Sequence, residues 1–176
     1  KGETFFTPES HPAPVSVYGR TKYQGETAVQ AALDKYFIVR ISWVFGLYGK
    51  NFVKTMIDLA GAREEIGVVC DQIGSPTYTK HLAPLLLDMA QSEKYGVYHA
   101  TNSGVCSWFD FACEIFRLTG QTVRVRALSS EAYPSKARRP KNSRLSKKKL
   151  AAMGFSPLPE WQEALRDFIA EYYWED

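Results

Sequence analysis

The feature that most constrains this chain is a regular alternation of short β-branched and aromatic runs with longer helix-forming stretches. Residues 36–44 form one such run, closed by Gly46, and residues 67–70, 96–100 and 122–128 form three more. Between and around them lie the expected helices. One runs over 16–34, entered from a loop holding Pro12 and Pro14. A second is capped by Asn51, with Phe52, Met56 and Leu59/Ala60 on one face. A third covers 79–91 and should begin near Lys80 or His81, because Pro84 lacks a backbone N–H and is tolerated only in about the first turn. Ser107 and Asp110 have capping-box spacing before the apolar positions Phe109, Ala112, Ile115 and Phe116, and Gly120 ends that helix. A short helix around Leu150 should start near Ser146 and stop at Gly154. A final one, over about 160–173, places Trp161, Leu165, Phe168, Ile169 and Tyr172 on one side. This order predicts an α/β fold with a largely parallel sheet.

Composition narrows the class further. Of the 176 residues, 45% are hydrophobic and 23% charged, which excludes disordered and collagen-like chains. The longest apolar runs, such as 82–87, are far too short to span a membrane, and no signal-peptide pattern opens the chain. Cys70, Cys106 and Cys113 are odd in number and lack C-x-x-C spacing, so reduced thiols in a cytoplasm are expected rather than a disulfide framework or a zinc site. His11, His81 and His99 are scattered with no acidic or sulfur ligands around them, and no metal site is expected. The net charge of +3 does not argue for nucleic acid. The stretch 136–149 carries eight Lys or Arg residues and no acid, yet no aromatic interleaves with them to stack on bases. The chain begins at Lys1 in polar, turn-rich sequence, which reads as the middle of a longer protein.

Tyr18-Gly-Arg-Thr-Lys22 carries the candidate chemistry. Four residues are about one helical turn, so the phenol and the ammonium leave the same face. A tyrosine ordinarily titrates near ~10, and a neighbouring cation favours the phenolate, making the hydroxyl a better proton donor near neutrality. Reducing a ketone needs such a group: hydride reaches carbon while an acid protonates oxygen. Y-x-x-x-K alone is a common pattern on solvated helices. Here it opens a helix after a proline-rich loop and precedes a strand ending in Ser42-Trp43-Val44-Phe45-Gly46.

The run from Pro14 through Tyr18 and Lys22 to Glu26 closely resembles the active-site helix of the extended short-chain dehydrogenase/reductases. Arg40-Ile-Ser-Trp-Val-Phe-Gly46, Asn51-Phe-Val53, Asp71-Gln-Ile-Gly-Ser-Pro-Thr77 and Arg139-Pro-Lys-Asn-Ser-Arg-Leu145 narrow the resemblance to the dTDP-4-dehydrorhamnose reductases. Tyr98-His-Ala-Thr-Asn102 and Ser107-Trp108 also fit that family. The resemblance covers nearly the whole chain.

It implies the C-terminal part of a Rossmann-type parallel sheet, about 1–50, merging into a smaller nucleotide-sugar-binding lobe, about 51–176. Tyr18 would protonate the C4 oxygen of a keto sugar. Lys22 would sharpen Tyr18 and bind the nicotinamide ribose of NADPH or NADH, so both residues would touch the cofactor. Trp43 would pack on the hexose, Asn51 and Gln72 would hydrogen-bond the nucleotide sugar, and Arg139 would clamp the diphosphate with its planar donors. Asn51 could equally serve only as a helix cap, and Trp43 as a core aromatic. A homodimer is left open. The glycine-rich pyrophosphate turn and the accompanying Ser/Thr are not in the sequence; at ~30 residues per βαβ unit, roughly a hundred residues would precede Lys1. Two rival readings are a non-catalytic regulatory subunit like the β subunit of methionine adenosyltransferase, and another nucleotide-sugar reductase or epimerase.

Overall fold

The computed structural model of the chain describes residues 4–133 and 139–174. Residues 136–138 of the basic stretch lie outside that range. The elements in chain order are α1 (Val17–Ala32), β1 (Phe37–Arg40), β2 (Val44–Phe45), α2 (Phe52–Ala60), β3 (Glu65–Val69), β4 (Ile73–Gly74), β5 (Thr77–Tyr78), α3 (Thr79–Ala90), β6 (Gly96–His99), β7 (Cys106–Ser107), α4 (Trp108–Thr119), β8 (Arg124–Leu128), α5 (Lys148–Ala152) and α6 (Trp161–Trp174).

Strands pair across long sequence separations. β1 runs parallel to β6, β2 to β5 and β3 to β8, while β4 pairs antiparallel with β7. The α/β, mainly parallel expectation holds, although among the described residues the strands form pairs rather than one wide sheet.

The run 36–44 departs from a single strand. It breaks into β1 and β2, which pair with different partners. At the break Trp43 adopts φ 49°, the one non-glycine residue with positive φ among those described. A bulky side chain in the left-handed region is strained. The surroundings impose it: Ser42 donates its hydroxyl to the Ser75 carbonyl at 2.7 Å, and Thr77 donates its own to the Ser42 carbonyl at 2.6 Å.

A second departure is at α3, which starts at Thr79 and holds Pro84 as its sixth residue. The start is fixed from outside the helix, since β5 feeds directly into it and the Tyr78 N–H donates to Asn102 Oδ1 at 2.9 Å. Where the sequence signals are local, they agree with the structure. Ser107 and Asp110 form a reciprocal capping box, and Gly120 closes α4 in the left-handed conformation.

Two apolar cores result. The larger joins Phe45, Val53, Met56, Phe111, Ile115, Leu165 and Phe168 from α2, α4, α6 and the strands between them. The smaller gathers Leu82, Leu85, Met89, Tyr98, Leu150 and Phe155 around β6, α3 and α5. Helix α1 belongs to neither core and has no buried residue. No helix among the described residues is long and apolar enough to cross a membrane.

Candidate active site

Ser16 opens α1 by accepting a hydrogen bond on Oγ from the Gly19 N–H at 3.1 Å. The cap fixes the first turn, and the first turn carries Tyr18. One turn on, Lys22 Nζ lies 5.7 Å from the centre of the Tyr18 ring, so the two side chains converge as their spacing predicts. Tyr18 is 71% exposed, and its face of α1 is open.

The next residue along the same stripe is Glu26. Arg40, the last residue of β1, grips it bidentately: Nε donates to Oε1 at 2.9 Å and Nη2 to Oε2 at 2.6 Å. Arg40 Nη1 also donates to the Pro8 carbonyl at 3.3 Å. His99 lies opposite Arg40 on β6 and is fully buried. Burial, aided by the nearby Arg40 charge, lowers its pKa to about 4, so the ring is neutral at pH 7. Its Nδ1 has no hydrogen-bond partner among the described residues.

Trp43 is half-buried and held on two sides. Its indole stacks on Trp108 with centroids 3.7 Å apart and planes 15° off parallel. Its edge crosses Gly74, where an added Cβ would sit 2.8 Å from Cε2, so only glycine lets the ring approach that strand.

Asn51 commits both ends of its amide to the protein. Oδ1 accepts from the Lys54 N–H at 3.1 Å, and Nδ2 donates to the Gly46 carbonyl at 2.8 Å. This is a helix cap that also ties α2 to the end of β2. Gln72 is buried, and its Nε2 donates to Ser130 Oγ at 3.0 Å. Beside it, burial pushes the Asp71 carboxyl up, but hydrogen bonds from Ser130 and Lys141 outweigh this and hold it below the ordinary carboxylate range. Lys141 bridges Asp71 at 2.9 Å and Glu131 at 2.7 Å, which holds its ammonium above the usual lysine range.

The basic stretch therefore divides. Lys141 is doubly paired, Lys147 donates to the Asn102 carbonyl, and Lys149 pairs with Glu9 at 3.3 Å. Arg139 is exposed and forms no ion pair among the described residues. The structure thus brings Tyr18 and Lys22 together, and Trp43 close to the β4 strand that follows Gln72. A separate hollow of about 480 Å³ is lined by Lys80, His81, Asp167, Ala170, Glu171 and Trp174, and none of the residues singled out from sequence reaches it. Sequence reading alone gives no role to Trp108, Glu26 or Arg40. Glu26 leaves a positional signal, as the third member of an i, i+4 series with Tyr18 and Lys22, while Arg40 and Trp108 stand only as members of the family motifs.

For a nicotinamide cofactor, the chain's own donors fit the ribose end, where Tyr18 is exposed and the Lys22 ammonium lies over its ring. They do not fit the pyrophosphate end. Gly46, Gly67 and Gly74 are closed over by Thr79, Leu128 and Trp43, respectively, and no G-x-G-x-x-G turn occurs in the sequence. Among the described residues no cluster of His, Cys, Asp and Glu could hold a metal ion.

A family profile described as the RmlD substrate binding domain matches residues 1–174. A spore coat polysaccharide biosynthesis protein of Bacillus subtilis is 41% identical over 158 residues, covering 90% of this chain and 55% of the relative. A dTDP-4-dehydrorhamnose reductase of Sinorhizobium fredii is 38% identical over 172 residues, covering 92% and 58%. The crystal structure of dTDP-4-dehydrorhamnose reductase from Bacillus anthracis in complex with NADP superposes with a TM-score of 0.91 at 46% identity, covering 95% of this chain and 59% of that one. The chain thus spans a little over half the length of these relatives.

Proposed function

The chain belongs to the RmlD substrate binding domain family, and from that premise we propose that it forms the sugar-binding and proton-donating part of a reductase that converts dTDP-4-dehydro-L-rhamnose to dTDP-L-rhamnose. The observation that carries this reading is the convergence of Tyr18 and Lys22 on the open face of α1.

NADPH or NADH, when bound, supplies the hydride that adds to C4. The O–H bond of Tyr18 breaks as its proton passes to the C4 oxygen, which would otherwise become an alkoxide. The Lys22 ammonium stabilises the phenolate left behind and holds the ribose hydroxyls. Trp43 offers the hexose a flat apolar surface, kept rigid by Trp108 and Gly74. Gln72 faces the nucleotide sugar with its amide oriented by Ser130. Arg139, exposed and in no ion pair among the described residues, meets the diphosphate. Asn51 caps α2 with both ends of its amide engaged, and its second N–H remains to meet the nucleotide sugar. The domain reading assigns α1 and β1 to the end of the cofactor-binding sheet and residues from about 51 onward to the sugar-binding lobe.

The test is turnover by the intact protein. With dTDP-4-dehydro-L-rhamnose supplied, NADPH or NADH should be consumed and dTDP-L-rhamnose formed in equal amounts. Absence of turnover with both cofactors, together with stoichiometric capture of a methionine adenosyltransferase, would replace this reading with a regulatory one.

A further inference from the structure

Lys22 has two neighbours on its helical stripe, Tyr18 one turn before it and Glu26 one turn after. An i, i+4 carboxylate ordinarily attracts a lysine ammonium. Here it does not, because Arg40 occupies both oxygens of Glu26, with contacts of 2.9 and 3.1 Å from Nε and 2.6 Å from Nη2. Lys22 forms no ion pair among the described residues and lies over the Tyr18 ring instead. The fork is well placed to win this competition. Glu26 and Arg40 are the less exposed pair, at 19% and 23% side-chain exposure, and a planar guanidinium matches a carboxylate at two points where an ammonium offers one. Arg40 is itself held in place by the parallel pairing of β1 with β6 and by the Pro8 carbonyl.

We infer that Arg40 is a positioning residue which sequesters Glu26 and thereby leaves Lys22 free to act on Tyr18. The inference rests on the reading of Tyr18 as proton donor and adds a reason why the helix can carry an acid so close to its catalytic lysine. Beyond this group, Arg40 faces His99 on β6, and His99 is in turn influenced by Glu9 of the N-terminal segment.

The experiment uses four variants of the intact reductase. Arg40→Met releases Glu26 to compete for Lys22, so kcat should fall roughly three- to tenfold, with KM for the keto sugar little changed. Glu26→Gln should stay close to the parent in both respects, because the competing charge is gone. The double variant Arg40→Met with Glu26→Gln should recover the rate lost by Arg40→Met alone. A clamp that merely anchors α1 predicts otherwise: either single substitution would do equal harm, and the double would recover nothing. That pattern, or a fully active Arg40→Met, overturns the inference. If Arg40→Met is too unstable to assay, the comparison of Glu26→Gln with the double variant decides it. Tyr18→Phe in parallel separates the two levels, since an active Tyr18→Phe enzyme defeats the reading of the site itself.

Discussion

Helix α1 and helix α6 are of similar length, 16 and 14 residues, yet they are held in opposite ways. Helix α6 buries Trp161, Ala164, Leu165, Phe168 and Ile169 against α4, and its place is set by packing. Helix α1 buries nothing against the described residues, which span a little over half the length of the relatives, and shows there a serine cap at its first turn and one arginine–glutamate fork to β1. Apolar packing is non-directional and tolerates exchange of similar side chains. A cap and a fork are directional and fix which face points where. On the proposed reading, α1 presents a phenol and an ammonium to a ligand, while α6 supports the lobe that binds the sugar.

The comparison can be strained from both ends. The largest stability effect should come from the packed side: Phe168→Ala removes a ring with no exposed surface and should cost about 3–5 kcal/mol in chemical denaturation. A loss below about 1 kcal/mol would mean that packing does not hold the lobe. Next comes acid sensitivity, which the buried His99 should dominate. Its folded pKa of about 4 lies below the ordinary histidine value of about 6.5, so the unfolded chain takes up a proton that the folded chain refuses. Stability should fall as pH drops from about 6.5 to about 4, by roughly 3 kcal/mol, and the contribution should level off below that. His99→Gln should remove this slope, and a slope that persists would point to carboxylates instead. The smallest effect is local. Ser16→Ala should loosen the first turn of α1 by about 1 kcal/mol, seen as faster amide exchange from Gly19 onward, while α4 under its own Ser107 cap is unaffected.

What could be read from the sequence follows the same division. Ser107, Asp110 and Gly120 announced α4 because a cap and its stop are local signals, and the Tyr18–Lys22 pair was legible because one helical turn is local too. The break at Trp43 was not, since it depends on Ser75 and Thr77 more than thirty positions away. The start of α3 was misjudged for the same reason: a contact from Asn102 overrides the local argument from Pro84. Neither the stacking of Trp43 on Trp108 nor the grip of Arg40 on Glu26 has a periodic signature, so side-chain roles in the site stayed partly hidden even where the motifs were plain.

In the proposed mechanism the Tyr18 hydroxyl delivers the proton, Lys22 stabilises the phenolate, and the remaining residues bind and orient. Replacing Tyr18 by Phe in the intact protein keeps the ring and removes the O–H. The expected outcome is a fall in kcat of about 10²–10⁴-fold, with affinity for dTDP-L-rhamnose by calorimetry and thermal stability both unchanged. Undiminished consumption of NADPH or NADH with dTDP-4-dehydro-L-rhamnose would contradict it.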